Sequence, residues 1–261
     1  MTHTLRLNLR SQVLRKDARG YNVWEVVTTP RAVRTAQTAM LLCDVWDKHS
    51  SRAAMERLAG LAPRMNHLVA AARDKGVHII HAPSNTLGYY AGTPARQRMM
   101  DAPRVQPPPA REHADPPLPV DASDGGSDTG EVETIETHRV FPWTRQHSAI
   151  VIDQEKDRIS ESGEEVYSFF QEYGIKLYVI MGVHTNMCVL KRSFGIMKMA
   201  RWGVDTVLVR DLTDALYNPA LPPYVSHDEG TRLVVEYIEK FWCPTVSSEG
   251  LLVALGREDV T

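Results

Sequence analysis

The sequence lacks the features that mark membrane, secreted and disulfide-rich proteins. No run of about 18 apolar residues occurs in it, so we predict no membrane span. Its N-terminus alternates polar and apolar residues and has no continuous apolar segment typical of a secretory signal. The three cysteines lack the close spacing of a metal site and the pattern of a disulfide scaffold. We therefore expect a soluble protein of the reducing cytoplasm.

A large excess of either charge is also absent. Lys and Arg total 30 against 32 for Asp and Glu. This balance argues against general nucleic-acid binding, which needs a strongly basic face. It favours a small neutral or zwitterionic substrate over a polyanion, and we expect neither a nucleic-acid nor a membrane partner. The hydrophobic fraction of 43% is ordinary for a globular chain with a packed core.

Short apolar strands alternate with helical patterns over most of the chain. Nearly continuous apolar runs are typical of strands that are buried on both faces of a parallel sheet. Alternating strands and helices predict an α/β fold with a central, mainly parallel sheet and right-handed crossovers. Strands are predicted at 38–44, 77–81, 175–182, 204–209 and 244–246, with further regular structure at 148–153. Helices are predicted at about 51–75, with Pro63 as a point of kinking or division, and at 162–174, 186–202 and 227–241.

Two segments do not fit this alternation. Residues 4–13 and 21–28 alternate around the turn-prone KDARG, which predicts an N-terminal β-hairpin extension within residues 1–36. Between about 101 and 137 the chain is rich in Pro, Gly, Asp and Ser, which predicts a long insertion in a domain spanning 37–261. This Pro-rich insertion is either a surface loop or a lid or subunit arm near the site, since long loops often carry function.

Two reactive side chains lie at the ends of predicted strands. Asp44 stands where the first core strand ends, and Cys188 follows the strand that ends near Met181. The carboxyl ends of parallel strands meet at one edge of a sheet, so these side chains can meet. Cys188 also opens a predicted helix, whose first N–H groups and dipole favour a thiolate. Position alone fits a nucleophile and a buried structural cysteine equally well.

The residues around Cys188 resemble the nucleophile region of isochorismatase-like cysteine hydrolases, which include nicotinamidases and N-carbamoylsarcosine amidohydrolases. In that family a strand ends in a Gly-Val-x-Thr-x-x-Cys-Val run, matched here from Gly182 to Val189. LLCDVWDKH resembles the family's strand-end aspartate, and EKDRIS resembles its Lys-x-x-x-Ser element, with Lys156 and Ser160. The resemblance covers about 38–90 and 148–253. It implies a three-layer, Rossmann-like fold and a homo-oligomer.

The resemblance also implies a catalytic triad of Asp44, Lys156 and Cys188. Asp44 would take the thiol proton, Cys188 would attack a carbonyl carbon to form a thioester, and Lys156 would favour the charged forms of both. Arg145 is an alternative for the basic position. A non-proline cis peptide is implied before His184, with the backbone N–H groups of His184 and Cys188 forming an oxyanion hole.

Several polar and aromatic residues follow strand ends and are candidates for substrate binding, although each also fits an ordinary core or surface role: Trp46, His49, His81, Asn85 and His184. Nicotinamidases carry an Asp-x-His metal element after the second strand, where this chain has HAPSNT. His81 is poor evidence for a ligand, and Asp47 and His49 lie in the first loop instead. We therefore expect no required metal or other cofactor, and we disfavour nicotinamide as substrate.

The leading functional hypothesis is hydrolysis of a C–N bond in a small amide, ureido or carbamoyl compound. The first alternative is an isochorismatase-type vinyl-ether hydrolase, a reaction that this fold also supports without a cysteine. The second is a catalytically silent binding protein, because a fold does not establish a function. The presence of Cys188 favours the leading hypothesis, hydrolysis of a C–N bond.

Overall fold

The computed structural model describes residues 3–126 and 142–256. Its strands are β1 (Thr4–Lys16), β2 (Asn22–Arg34), β3 (Thr38–Cys43), β4 (His78–Ala82), β5 (Arg158–Ile159), β6 (Leu177–Val183), β7 (Thr206–Asp214) and β8 (Thr245–Val246). The helices are α1 (Arg52–Asp74), α2 (Pro94–Met100), α3 (Gly163–Tyr173), α4 (Ile196–Arg201), α5 (His227–Phe241) and α6 (Ser248–Ala254). Within the described ranges, no helix is long and apolar enough to cross a membrane.

The strands form one mixed, mostly parallel sheet in the order β2-β1-β8-β7-β6-β3-β4-β5. β3 lies inside it and pairs in parallel with β4 and β6. Successive side chains of a strand point to opposite faces, and both faces of β3 are covered. Met40 and Leu42 pack in the apolar cluster that contains α1 and α6, whereas Leu41 and Cys43 pack in the one that contains α3, α4 and α5. The predicted α/β fold with a mainly parallel sheet is therefore confirmed.

The predicted N-terminal hairpin is also confirmed, with longer strands than the sequence pattern indicated. β1 and β2 pair antiparallel along their whole lengths, from Thr4 with Arg34 to Lys16 with Asn22. β1 also pairs with β8, so the hairpin extends the central sheet instead of forming a sheet of its own. Leu5, Leu7 and Leu9 alternate with exposed residues and complete the core on the α6 side.

A buried carboxylate on α5 fastens this hairpin to the rest of the sheet. Glu239 accepts hydrogen bonds from Arg10 Nε at 2.7 Å, Gln12 Nε2 at 3.1 Å and Thr245 Oγ1 at 2.6 Å. Two of these donors belong to β1 and the third to β8. The carboxylate thus joins both strands at the point where they pair.

Two predicted elements differ from the structure. Residues 148–153 have neither helix nor strand, and the adjacent strand β5 begins only at Arg158. The helix predicted over 186–202 is divided into a π-helical turn, Thr185–Val189, and the short α4. The break is at Gly195, where an added Cβ would lie 2.8 Å from the Leu190 carbonyl oxygen. By contrast, α1 continues through Pro63 without a break.

The described part of the Pro-rich insertion, residues 101–126, has neither helix nor strand and packs on the helices of one face. The Val105 N–H donates to Ser168 Oγ on α3, and the His113 ring stacks on Trp242 at a centroid distance of 4.0 Å. Further along, the Tyr237 hydroxyl on α5 donates to the Pro116 carbonyl. Residues 127–137 of the predicted insertion lie outside the described ranges.

Replacing the anchoring carboxylate tests how the hairpin is held. Glu239→Gln removes a buried charge and leaves its donors poorly matched, so we expect a loss of roughly 2–4 kcal/mol in the free energy of unfolding. Urea denaturation measures this loss. Glu25→Gln is the matched control, because it breaks the exposed Arg15–Glu25 pair of the same hairpin and should cost less than about 1 kcal/mol. Equal losses in the two variants would contradict the assignment.

Candidate active site

The two reactive side chains predicted from the sequence meet at the carboxyl edge of the sheet. β3 and β6 are neighbours, and Cys43 pairs with Gly182 at their ends. Asp44 follows β3 with a positive φ of 50°, and its N–H donates to the Ala82 carbonyl at the end of β4. The π-helical turn after β6 brings the Cys188 thiol to the Asp44 carboxylate, and the two share a hydrogen bond.

Gly182 permits the close approach of the two strands that carry this pair. Its φ is +121°, and a Cβ added there would lie 2.0 Å from the Cys43 carbonyl oxygen. No other residue type fits this contact without moving the backbone. The glycine of the sequence motif therefore fixes the spacing between the two strand ends.

The Asp44 carboxylate is fully buried and has a donor for each oxygen. Oδ1 accepts the Ser84 N–H at 2.9 Å, and Oδ2 accepts Arg192 Nε at 2.9 Å. Burial raises the pKa of Asp44, while the guanidinium of Arg192 and the hydrogen bonds oppose that rise. The carboxylate is thus held ready to accept a proton from Cys188.

Cys188 is partly exposed, but the groups around its sulfur disfavour the thiolate. Burial and the negative charge of Asp44 raise the pKa of Cys188 to about 12, against the opposing charge of Arg192. The backbone N–H of His184 donates to the sulfur and partly offsets the rise. At neutral pH Cys188 is therefore a thiol, so the sulfur becomes nucleophilic only as its proton moves to Asp44.

The peptide between Val183 and His184 is cis, as the sequence motif implied. The same turn directs the His184 N–H to the Cys188 sulfur, close to where a carbonyl substrate would react. An oxyanion hole formed by the N–H groups of His184 and Cys188 stays a prediction.

The structure does not bring Lys156 to this pair. Its Nζ lies 3.6 Å from Asp153 Oδ2, and its side chain is 64% exposed. Arg145, the alternative, donates from Nη1 to the Tyr89 hydroxyl at 3.0 Å and is also exposed. The cation beside Asp44 is Arg192, which the sequence analysis missed. A signal was present, because Arg192 stands four residues after Cys188 in a segment with a helical pattern, and such residues share a helix face.

An aromatic cluster of Trp46, His49, Trp143 and His184 lies next to the acid. Trp46 and Trp143 stack at a centroid distance of 4.1 Å, and His49 meets His184 edge-on at 5.0 Å. Trp46 Nε1 donates to the carbonyl of Ser84, the residue whose N–H binds Asp44. Trp143 was missed, since it lies in the irregular segment after the insertion. Substrate binding by Trp46, His49 and His184 stays a prediction.

His81 is buried in a charged network instead of lining an opening. Its Nε2 lies 2.9 Å from Asp157 Oδ2, and its Nδ1 lies 2.8 Å from Gln146 Nε2. Burial opposes ionisation of Asp157, but hydrogen bonds from His81 and Arg73 lower its pKa to about 2. His81 thereby ties Gln146, and the segment that carries Trp143, to the end of β4. Both ring nitrogens of His81 are therefore engaged within the protein, and substrate binding by His81 stays a prediction.

Asn85 is exposed and has a positive φ of 64°. Its backbone N–H donates to the Glu161 carboxylate, so Asn85 lies at the surface, one residue beyond Ser84. In residues 3–126 and 142–256, His, Cys, Asp and Glu side chains form no group of three or more that could hold a metal ion.

Comparisons with known proteins point in one direction. Residues 38–220 match the family model of the isochorismatase domain. A cysteine hydrolase from Pseudomonas syringae pv. phaseolicola 1448A has a similar fold, with a TM-score of 0.54 at 14% identity over 86% of this chain and 94% of that one. A putative isochorismatase hydrolase from Oleispira antarctica gives a TM-score of 0.49 at 13% identity, covering 84% and 97%. No curated protein sequence matches the chain.

Thiol reactivity tests the charge balance of the site. Asp44→Asn removes the negative charge that raises the pKa of Cys188 and leaves Arg192 in place, so the thiolate becomes more accessible. We expect Cys188 in Asp44→Asn to react with iodoacetamide at least about tenfold faster at pH 8 than in the wild type, since one pKa unit is a factor of ten. Intact mass and peptide mapping measure the rate. Slower labelling in the variant would contradict the inferred interaction, and the buried Cys243, whose pKa does not depend on Asp44, serves as the internal control.

Proposed function

Because this chain belongs to the isochorismatase-like family of cysteine hydrolases, we propose that it hydrolyses a C–N bond in a small amide, ureido or carbamoyl compound through a thioester on Cys188. The observation that supports this most is the hydrogen bond from a thiol to a buried carboxylate beside a guanidinium. An amide needs a strong nucleophile, a proton shuttle and support for the oxyanion, and this site offers a candidate for each.

The first half of the reaction forms the thioester. As the Cys188 sulfur bonds to the carbonyl carbon, its proton passes to the Asp44 carboxylate and the carbonyl oxygen becomes an oxyanion. In this proposal the N–H of His184, which donates to the resting sulfur, turns to that oxygen. The intermediate then collapses, the C–N bond breaks, and the amine or ammonia leaves with the proton from Asp44.

The second half restores the enzyme. Water attacks the thioester carbon while Asp44 accepts one of its protons, and the C–S bond breaks. The sulfur leaves as the thiol after taking that proton, and the carboxylic product departs. Asp44 therefore alternates between base and acid, which requires a pKa that is neither strongly depressed nor too high for ionisation.

Arg192 acts through Asp44 as a positioning residue. Its Nε holds Oδ2 while Ser84 holds Oδ1, so the carboxylate cannot rotate away from the sulfur. The positive charge also keeps a buried carboxylate ionised, which desolvation would otherwise prevent. In this proposal Arg192 supplies the cation that the sequence analysis expected from Lys156.

Trapping the covalent intermediate tests the proposed reaction. Incubating wild-type protein with a panel of small primary amides should release ammonia, and acid quenching should trap a mass increase on Cys188 equal to the acyl group. Cys188→Ala should lose both signals, and Asp44→Asn should lose ammonia release while keeping its fold. Ammonia release that survives in Cys188→Ala would contradict the thioester route, and hydrolysis of isochorismate without ammonia release from any amide would favour a vinyl-ether hydrolase. Substrate binding with no turnover would favour the silent binding protein.

The pH profile separates the two candidate cations. Arg192 lowers the pKa of Asp44, so Arg192→Gln raises it, and the base is then already protonated in less acidic solutions. We expect the acid limb of kcat/KM to move up by about 1–3 pH units in Arg192→Gln, the usual effect of a neighbouring opposite charge. Arg192→Lys keeps the positive charge, so its acid limb should lie close to that of the wild type. Lys156→Ala should stay within about a factor of two of the wild type at all pH values, as surface substitutions usually do.

A large loss in Lys156→Ala together with an unshifted acid limb in Arg192→Gln would reverse this assignment. Thermal unfolding of each variant shows whether the loss comes from the site or from the fold. The exposed position of Lys156 predicts an unchanged midpoint for its variant.

A further inference from the structure

Arg192 uses only one edge of its guanidinium to hold Asp44. The side chain donates from Nε, and within the described part of the chain its Nη1 and Nη2 atoms have no hydrogen-bond partner. The side chain is 30% exposed, whereas the Asp44 side chain is fully buried. The two terminal nitrogens of the guanidinium are therefore available to donate hydrogen bonds, at the boundary between the buried Asp44 and the surface.

The unused fork lies beside the reacting atoms. Arg192 contacts Asp44, which shares a hydrogen bond with the partly exposed Cys188, and its positive charge also acts directly on the sulfur. Because Arg192 and Cys188 contact the same carboxylate, a small substrate that reaches the sulfur is close enough to meet Nη1 and Nη2 as well. A fork of two parallel N–H donors matches a carboxylate better than it matches a single carbonyl oxygen.

Charge balance during the reaction favours an anion at this position. At rest, Asp44 neutralises Arg192. When Asp44 accepts the proton of Cys188, the guanidinium loses its countercharge, and a substrate carboxylate would supply a new one. An interaction that strengthens as the reaction proceeds raises kcat as well as binding.

A carboxylate near Arg192, that of Glu161, disfavours substrates with several negative charges. The Glu161 carboxylate accepts the Asn85 N–H, and its backbone carbonyl accepts the hydroxyl of Ser193, the neighbour of Arg192. A negative group is therefore already present nearby. A polyanion would meet that carboxylate, whereas a compound with one carboxylate can place it on Arg192.

We propose that Arg192 binds a carboxylate of the substrate, so that the preferred substrates are small amides that carry one carboxylate near the scissile carbonyl. This inference rests on the proposed function, which it deepens by naming the substrate class. It gives Arg192 two contacts, with Asp44 through Nε and with substrate through the Nη atoms.

A pair of similar amides tests the preference. Succinamate carries a carboxylate, and 4-oxopentanamide has a neutral methyl ketone in its place. We expect wild-type kcat/KM for ammonia release to be at least about tenfold higher for succinamate, since charged hydrogen bonds are about twice as strong as neutral ones. Arg192→Lys keeps a cation but loses the fork, so this ratio should fall severalfold. Arg64→Gln removes an exposed cation paired with Asp211 and should leave the ratio unchanged.

Binding without turnover separates this inference from the proposed reaction. In a Cys188→Ala background, calorimetry should show succinamate binding that Arg192→Lys weakens by about tenfold, the loss expected for a bidentate charged contact. Such binding without amide turnover in the wild type would refute the proposed function and leave the carboxylate site standing. Equal kcat/KM for the two amides, or a ratio and an affinity that Arg192→Lys does not change, would overturn the carboxylate site and leave amide hydrolysis standing.

Discussion

The site depends on one carboxylate that is buried without access to water. Removing a charge from water costs several kcal/mol unless donors and a countercharge replace the solvent. Asp44 obtains these from the Ser84 N–H, from Arg192 Nε and from the Cys188 thiol. One donor follows β4 and the other two follow β6, so the segments after both strands must reach the end of β3. The geometry of the candidate site follows from that requirement.

The surrounding frame keeps those segments in place. Gly182 allows β6 to approach the end of β3, and the turn after β6 carries Cys188 back to the acid. On the other side, the network of Arg73, Asp157 and His81 holds Gln146, and the aromatic cluster continues from there to Trp46. Asp44 therefore lies between the turn that carries Cys188 and the aromatic cluster that contains Trp46 and Trp143. The partly exposed side of the site is the one with Cys188 and Arg192.

Much of this arrangement could be predicted from the sequence because it depends on local patterns. Apolar runs identified β3 and β6, the helical period identified α1 and α5, and the ends of the strands placed Asp44 and Cys188 at one edge. The family match over residues 38–220 covers the same region as the motifs. The hairpin was recognised from alternation around its turn, although its strands are longer than the pattern indicated.

What could not be predicted depends on contacts between distant residues. The helical pattern of 186–202 is broken because Gly195 lies against the Leu190 carbonyl, and that tight reversal was not apparent from periodicity. Lys156 stands at the position that a motif assigns to the basic residue, but the turn around Asp153 directs its side chain outward. Arg192 lies beside Asp44 because β3 and β6 are neighbours in the sheet. The choice between two cations is thus made by tertiary structure.

The ion pair between Asp44 and Arg192 joins residues that are 148 positions apart. During synthesis the N-terminal segment, with β3 and its aspartate, leaves the ribosome long before the arginine does. Contacts of such sequence separation also form slowly in a complete chain. Burying a carboxylate without its donors and countercharge is unfavourable, so water is the more stable environment for Asp44 until Arg192 is present. The same charge that organises the finished site therefore opposes burial of the end of β3 in a chain that does not yet contain Arg192.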